Sequence, residues 1–316
     1  MMNTTAITSN SLPGYTVVTS GDSERETFEG ITIVLLSRGG RPFRKEQIQK
    51  LAQMQVQEIL SVENPGSDLD GLTRMMPTLK CIVMPDHLST GEKINIAMRE
   101  SSGSHVLVMW DDMDLQIIGK TGRLFAMASE QDSLCSVPVL MNARKDSIPI
   151  RLAPVFSGSK LDVIPLGSVK NETPTLYPFD YCGIYNRAKF NLSEGFDPKI
   201  RSPYWQKLDF GFRAFLWGEK VQCFTGIKIA YQNEIPHDDI TIDFSYKRFF
   251  LKNLALIYKG DSCHLSIKSI LRFHLQSRMS LFNSFKDYRE IWQWVRVNTY
   301  RFQLDPYSLT ELWELE

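Results

Sequence analysis

The sequence has no charge excess of either sign: 36 lysines and arginines stand against 36 aspartates and glutamates in 316 residues. That balance excludes a protein whose whole surface grips nucleic acid. It also has no Cys-x-x-Cys pair. Its five cysteines, at 81, 135, 182, 223 and 263, are scattered and odd in number. They read as reduced thiols in a cytosolic-type compartment, not as a disulfide framework or a thiolate metal site. No stretch approaches the roughly 18 uncharged apolar residues that cross a bilayer. The opening MMNTTAITSNSLPGY lacks the basic start and apolar run of a signal peptide. Internal repeats and low-complexity tracts are absent too, which removes solenoids and fibrous chains. What remains is ordinary for a globular chain: 43% hydrophobic and 23% charged residues, with length for one large domain or two small ones around a sizeable core.

Residues 1–30 are rich in Thr, Ser, Gly and Glu and read as a loose arm with one short strand at 15–19. The first strong signal is Ile31–Leu36 (ITIVLL), an unbroken apolar run of the kind buried on both faces of a sheet. A helix is expected at 44–57, strands at 58–62 and 81–84, a helix at 91–102 and a strand at 106–110. Alternation of this kind predicts a mostly parallel sheet flanked by helices, an α/β fold. Ligands of such sheets bind beyond the carboxyl ends of the strands. Attention therefore falls on Ser37, Arg38, Glu63, Asn64 and the cluster Asp111, Asp112 and Asp114. Residues 116–180 predict irregular, β-rich connections. Strand, helix and strand return at 181–186, 204–218 and 220–231, and 245–303 reads as helical and aromatic.

The acidic cluster is the strongest single feature. Three carboxylates within four positions repel one another unless a cation or hydrogen-bond donors neutralise them. Hard oxygen ligands of this kind suit Mg²⁺ or Mn²⁺ together with substrate phosphate, and the plainer alternative is a solvated turn with a helix-capping Asp.

The block from Tyr181 to Gly218 resembles family 2 glycosyltransferases of the GT-A fold. The text that carries the likeness is Cys182-Gly183-Ile184-Tyr185, Gly195-Phe196-Asp197, Asp209, Arg213 and Gly218. Upstream, Glu63–Ser67 resembles the family's turn after the second strand, Gly91–Asn95 the opening of the next helix, and the acidic cluster its D-x-D signature. The likeness spans about residues 31–232. It implies a GT-A domain over 31–240, with a nucleotide-sugar half (31–115) and an acceptor half (116–240), followed by a helical extension over 241–316.

The activity it implies is transfer of a sugar from a nucleoside diphosphate sugar to an acceptor hydroxyl, inverting by resemblance, in glycan or glycolipid synthesis. The donor would lie near Ser37, Arg38, Glu63, Lys93, Asn95 and Asp111. A Mn²⁺ or Mg²⁺ ion would be held by Asp112, Asp114 and His237. Three departures stand out. The family's acidic pair, which contains its usual base, is replaced by Gln206 and Lys207, leaving Asp209 as the substitute base. The D-x-D register slides so that Trp110 takes its first position. The usual histidine after the strand ending near Tyr231 is missing, and His237 in Pro236-His237-Asp238-Asp239 is the nearest replacement. Those losses keep a non-catalytic, sugar-nucleotide-binding scaffold open as an alternative. A sugar-phosphate nucleotidyltransferase, suggested by Ser37–Arg41, fits the 181–218 block poorly.

Charge is unevenly spread. Residues 245–303 hold eleven Lys/Arg against three acidic residues, interleaved with twelve aromatics. Such a segment suits an anionic membrane surface, which would make the enzyme cytoplasmic and peripheral on the inner face of the membrane. Alternatively its aromatics pack on the catalytic domain or a second copy, leaving a homo-oligomer open. Without a recognition motif, nucleic acid is not an expected partner.

Overall fold

A computed structural model of the chain describes residues 4–6, 14–19, 28–38, 44–54, 56, 58–67, 69, 71, 79–116, 121–157, 160–259, 262–268, 270–271, 281–310 and 313. Its strands are β1 (Thr4–Ala6), β2 (Thr16–Thr19), β3 (Phe28–Leu36), β4 (Glu58–Glu63), β5 (Leu79–Val83), β6 (Gly103–Trp110), β7 (Met113–Gln116), β8 (Cys135–Met141), β9 (Leu152–Ser157), β10 (Lys160–Pro165), β11 (Gly183–Asn186), β12 (Val221–Tyr231), β13 (Leu256–Lys259) and β14 (Ser262–Leu265). Ten of them form one sheet in the order β1-β2-β5-β4-β3-β6-β11-β8-β12-β7. The centre, β5-β4-β3-β6, is parallel. Its strands are apolar runs because both faces are covered: Ile33, Val34, Leu35, Ile59, Leu60, Val106 and Leu107 are all buried.

This order places a topological switch between β3 and β6. From β3 the chain winds outward through β4 and β5, then returns to lay β6 on the other side. The carboxyl ends of β3 and β6 therefore open beside each other, the position where α/β sheets bind ligands. Leu36 pairs with Trp110 at that end, and the Asp111 N–H donates to the Leu36 carbonyl at 2.9 Å.

The helices are α1 (Arg44–Gln53), α2 (Thr90–Glu100), α3 (Thr121–Ser129), α4 (Arg187–Leu192), α5 (Pro203–Leu216), α6 (Phe244–Phe249), α7 (Leu281–Asn298) and α8 (Pro306–Leu309). α2 starts at a capping box: the Ser89 hydroxyl accepts from Glu92 N–H and the Glu92 carboxylate accepts from Ser89 N–H. α5 is buried along almost its whole length. Gly211 within it has no room for a side chain, since a Cβ there would lie 1.8 Å from the Leu176 carbonyl oxygen.

Several expectations change. The arm at 1–30 supplies two strands, and β2 joins the sheet because Val17 and Val18 are buried against β5. Residues 116–180 contain a helix, α3, and an antiparallel β9-β10 hairpin. The C-terminal region is not wholly helical. α6 runs into a π-helical turn at Phe250–Leu254, and β13-β14 forms a second hairpin before α7. Leu216, Trp217, Leu251, Leu256, Ile291, Val295 and Phe302 share a second core that joins this region to the end of α5. Trp217 and Trp294 stack at 5.7 Å. All five cysteines are free and buried. No helix among the described residues is long and apolar enough to cross a membrane.

Candidate functional site

The turn after β6 and the loop after β3 meet at the switch point. Asp111 and Asp112 are both buried. Asp111 accepts from the Ser37 hydroxyl at 3.1 Å, the Arg38 N–H at 3.4 Å and Arg44 Nη1 at 2.9 Å. Arg44 also reaches Glu63 at 2.7 Å, so it ties the ends of β4 and β6 together. Arg38 Nε straddles both Asp112 oxygens at 3.1 and 3.2 Å, and its Nη2 bonds Asp180. The same guanidinium lies 3.9 Å over the Trp110 ring. The Trp110 indole N–H donates to the Asp180 carbonyl at 2.8 Å, and the Tyr231 hydroxyl donates to the Asp180 carboxylate at 2.8 Å. Four carboxylates thus surround two guanidiniums, which is how buried like charges become tolerable. Burial works against charge on Arg38, yet Asp180 and Asp112 outweigh it and hold its affinity for the proton above the usual arginine value. Burial raises Asp180 above the ordinary carboxylate range in spite of Arg38, Lys207 and Tyr231.

The other residues singled out in the sequence have varied positions. Glu63 is buried and locked by Arg44 and Ser61. Lys93 is half-buried with its ammonium 3.5 Å from Asn64 Oδ1, and burial lowers its proton affinity against the pull of Asp86. Asn95 clamps the backbone of Phe196 through both its N–H and its carbonyl, at 2.9 and 2.7 Å. Asp114 is on β7 and meets Lys50 and Gln116.

α5 explains the departures at 206 and 207. Gln206 is fully buried. Its Nε2 donates to the carbonyls of Asp197 and Ile200 at 3.0 and 2.9 Å, while its Oε1 accepts from Gly91 N–H and from the Tyr181 hydroxyl. A carboxylate has no hydrogen to give those two carbonyls, so an amide belongs here. Gly91 is required opposite it, because a Cβ would come within 2.5 Å of the Gln206 amide. Lys207 is buried and reaches Asp238 at 2.6 Å. Asp209, the expected base, is fully buried among Lys252 (3.2 Å), Asn253 (2.8 Å) and Arg213 (3.5 Å). Both its oxygens face basic or amide groups, and no face is left for an acceptor hydroxyl. Asp209 serves the packing of the C-terminal region.

Next to the Arg38 cluster is an open groove of about 790 Å³, walled by Phe179, Asn142, Ile148 and the segment 233–238 after β12. Phe179 precedes Asp180, and the 233–238 segment follows Tyr231, which bonds Asp180, so the chain links groove and cluster at two places. Neither Arg44 nor Asp180 stands out in the sequence as a member of this site, and Asp238 is noted there only beside His237. Asp180 sits at φ 51°, a left-handed backbone that no local pattern announces.

The donor set does not fit a divalent metal as placed. Asp111 and Asp112 are filled by guanidiniums, Asp114 is turned to Lys50, and His237 is exposed on its loop. Among the described residues no three such ligands converge. As placed, the expected Mn²⁺ or Mg²⁺ ligands Asp112, Asp114 and His237 do not converge, and Arg38 bonds both Asp112 oxygens.

Comparison with known proteins agrees with the topology. No family profile matches the chain, and no curated relative does. The crystal structure of GalNAc-T7 with UDP, GalNAc and Mn²⁺ superposes with a TM-score of 0.54 at 10% identity, covering 87% of this chain and 58% of that one. The chain thus spans well under two thirds of that structure. S. aureus TarS (residues 1–349) in complex with UDP-GlcNAc gives a TM-score of 0.48 at 13% identity, over 90% of this chain and 70% of that one, too low to add to the point. The chain has the GT-A-type α/β fold, with a C-terminal region that is in part helical.

Proposed function

We propose that this protein transfers a sugar from a nucleoside diphosphate sugar to an acceptor hydroxyl, as a member of family 2. The observation behind the reading is the Arg38–Asp112–Asp180 cluster at the β3/β6 switch point. It offers a fixed cation, stacked on Trp110, where a nucleotide ligand of this sheet belongs. A guanidinium there would stabilise charge that gathers on the leaving diphosphate. Ser37 and Lys93 line the approach to the donor, and Glu63 orders it through Arg44. No step is assigned to a metal, because the carboxylates that would hold it are engaged by arginines. The solved GalNAc-T7 structure contains UDP, GalNAc and Mn²⁺, which supports a nucleotide sugar as the first ligand to try.

The test is release of nucleoside diphosphate from a panel of UDP-, GDP- and dTDP-sugars, with calorimetry of UDP binding alongside. Turnover of at least one donor is expected. A second reading, binding without catalysis, draws on the closed surroundings of Asp209; UDP binding with no turnover of any donor would establish it. The membrane reading rests on the exposed face of α7 and the turn after it, where Trp292, Val297 and Tyr300 are solvent-exposed beside Arg289 and Arg296. Flotation with anionic liposomes at low salt, lost at high salt, is the expected result.

A further inference from the structure

The reaction proposed above needs a group to take the acceptor's proton, and α5 supplies none. We infer that Asp238, on the loop after β12, is that base, with Lys207 as its positioning residue; this rests on the glycosyltransferase reading of the same site.

Three observations carry the inference. Asp238 lines the groove together with Phe179, the residue before Asp180 of the Arg38 cluster. It is the groove's anchored carboxylate: Lys207 Nζ holds its Oδ1 at 2.6 Å, and Oδ2 has no bond to another described residue. Its side chain is 23% exposed and that of Lys207 is 3% exposed, so the pair has one wet end, at the carboxylate, and one dry end. The Lys207 ammonium is fixed in turn by the faces of Tyr177, Phe179 and Tyr181, at 5.5 to 5.7 Å. A base must be held still and keep a lone pair toward the proton it removes. Asp238 meets both conditions; Asp209 is held still but keeps no lone pair toward an acceptor.

The physical sense of lysine at position 207 follows. Where the only carboxylate of α5, Asp209, is closed off, a buried cation on the helix draws another in from a neighbouring loop. In the step assigned, the acceptor oxygen attacks the anomeric carbon and forms the new C–O bond. The bond from that carbon to the phosphate oxygen breaks, and its electron pair leaves with the nucleoside diphosphate. The acceptor proton passes to Asp238 Oδ2. The groove is lined mostly by apolar groups, among them Phe179, Ile148, Ile235 and Pro236. Its acceptor is therefore a hydroxyl carried on an apolar body, a class for which octyl glycosides are suitable probes.

The test measures UDP release from the donor that wild type accepts, with octyl glycosides as acceptors, together with UDP affinity and thermal stability. Asp238→Asn should lower turnover by about 10²- to 10⁴-fold and leave UDP affinity within about twofold, as no charged donor contact is lost. Asp238→Glu, which keeps a carboxylate, should recover part of the loss and so separates chemistry from misfolding. Lys207→Met, which removes the anchor, should lower kcat while the donor KM stays within about twofold, and Lys207→Arg should recover part of that loss. Wild-type turnover in Asp238→Asn, or equal losses in the Asn and Glu variants, overturns the assignment of Asp238 while the transferase reading stands. A wild type that turns over no donor overturns both.

Discussion

Two carboxylate clusters in this protein use the same chemistry to opposite ends. At the switch point, Asp111, Asp112 and Asp180 gather around Arg38 and Arg44, and Arg38 keeps 20% of its side chain in solvent. Behind α5, Asp197 and Asp209 gather around Lys252, Arg248, Arg213 and Asn253, with Asp209 and Asn253 fully buried. Both satisfy buried charge by pairing. The open one keeps part of its guanidinium in solvent; in the closed one Lys252, Arg248 and Asn253 join the C-terminal region to the carboxylates of the sheet domain. Pairing therefore does not by itself mark a site. An unfilled side does.

The sharpest way to break the comparison is at the closed cluster. Lys252→Met leaves Asp197 and Asp209 short of a cation in a dry setting and should cost about 3–5 kcal/mol in chemical denaturation, with UDP affinity of the folded fraction unchanged. A cost under about 1 kcal/mol would show that the cluster is wetter than its geometry. At the open cluster, Arg38→Ala should cost less, about 1–3 kcal/mol, and weaken UDP binding at least tenfold. Millimolar Mn²⁺ should return part of the lost stability, since a divalent cation can then take the guanidinium's place among Asp111, Asp112 and Asp180. If wild type gains as much from Mn²⁺, Arg38 is not the resident cation.

Acid sharpens the contrast further. Although burial opposes it, Lys252 and Arg248 hold the Asp197 carboxyl well below the usual carboxylate range. The stability this gives is complete above the unfolded value of about 3.9 and is lost as pH falls below it toward the depressed folded value. Asp197→Asn should therefore flatten the stability curve below about pH 4, and an unchanged slope would remove Asp197 as the cause. The smallest effect belongs to Lys50→Ala. The Lys50–Asp114 pair is 3.3 Å long with side chains 50% and 30% exposed, so the loss should stay under about 1 kcal/mol in the same denaturation assay.

Much of the frame was legible in the residues. Runs such as Ile31–Leu36 and Val106–Trp110 can be buried only in the middle of a parallel sheet, and the polar residues that follow them fall at its carboxyl edge for that reason. Ser37, Arg38, Asp111 and Asp112 were found that way. The partners that give them meaning were not. Arg44 opens a helix and looks like any solvated arginine. Asp180 depends on a left-handed backbone, and Asp238 on where a loop comes to rest. Asp209 misled because a motif fixes the position of a residue along a helix but not which neighbours close over it. The β13-β14 hairpin was hidden within a segment whose aromatic and basic content reads equally well as helix.

The staple across α5 bears on how the chain is made. Gln303 N–H donates to the Leu216 carbonyl, Trp313 packs on Phe215, and Lys252 caps Asp209. A helix at the centre of the domain is thus finished by residues synthesised long after it. During translation, α5 must wait with Phe212 and Phe215 without Phe249 and Trp313, and Asp209 uncapped, until the later segment leaves the ribosome. Nascent chains stalled before residue 250 should be held by chaperones or clipped by protease, and those stalled beyond 313 should resist.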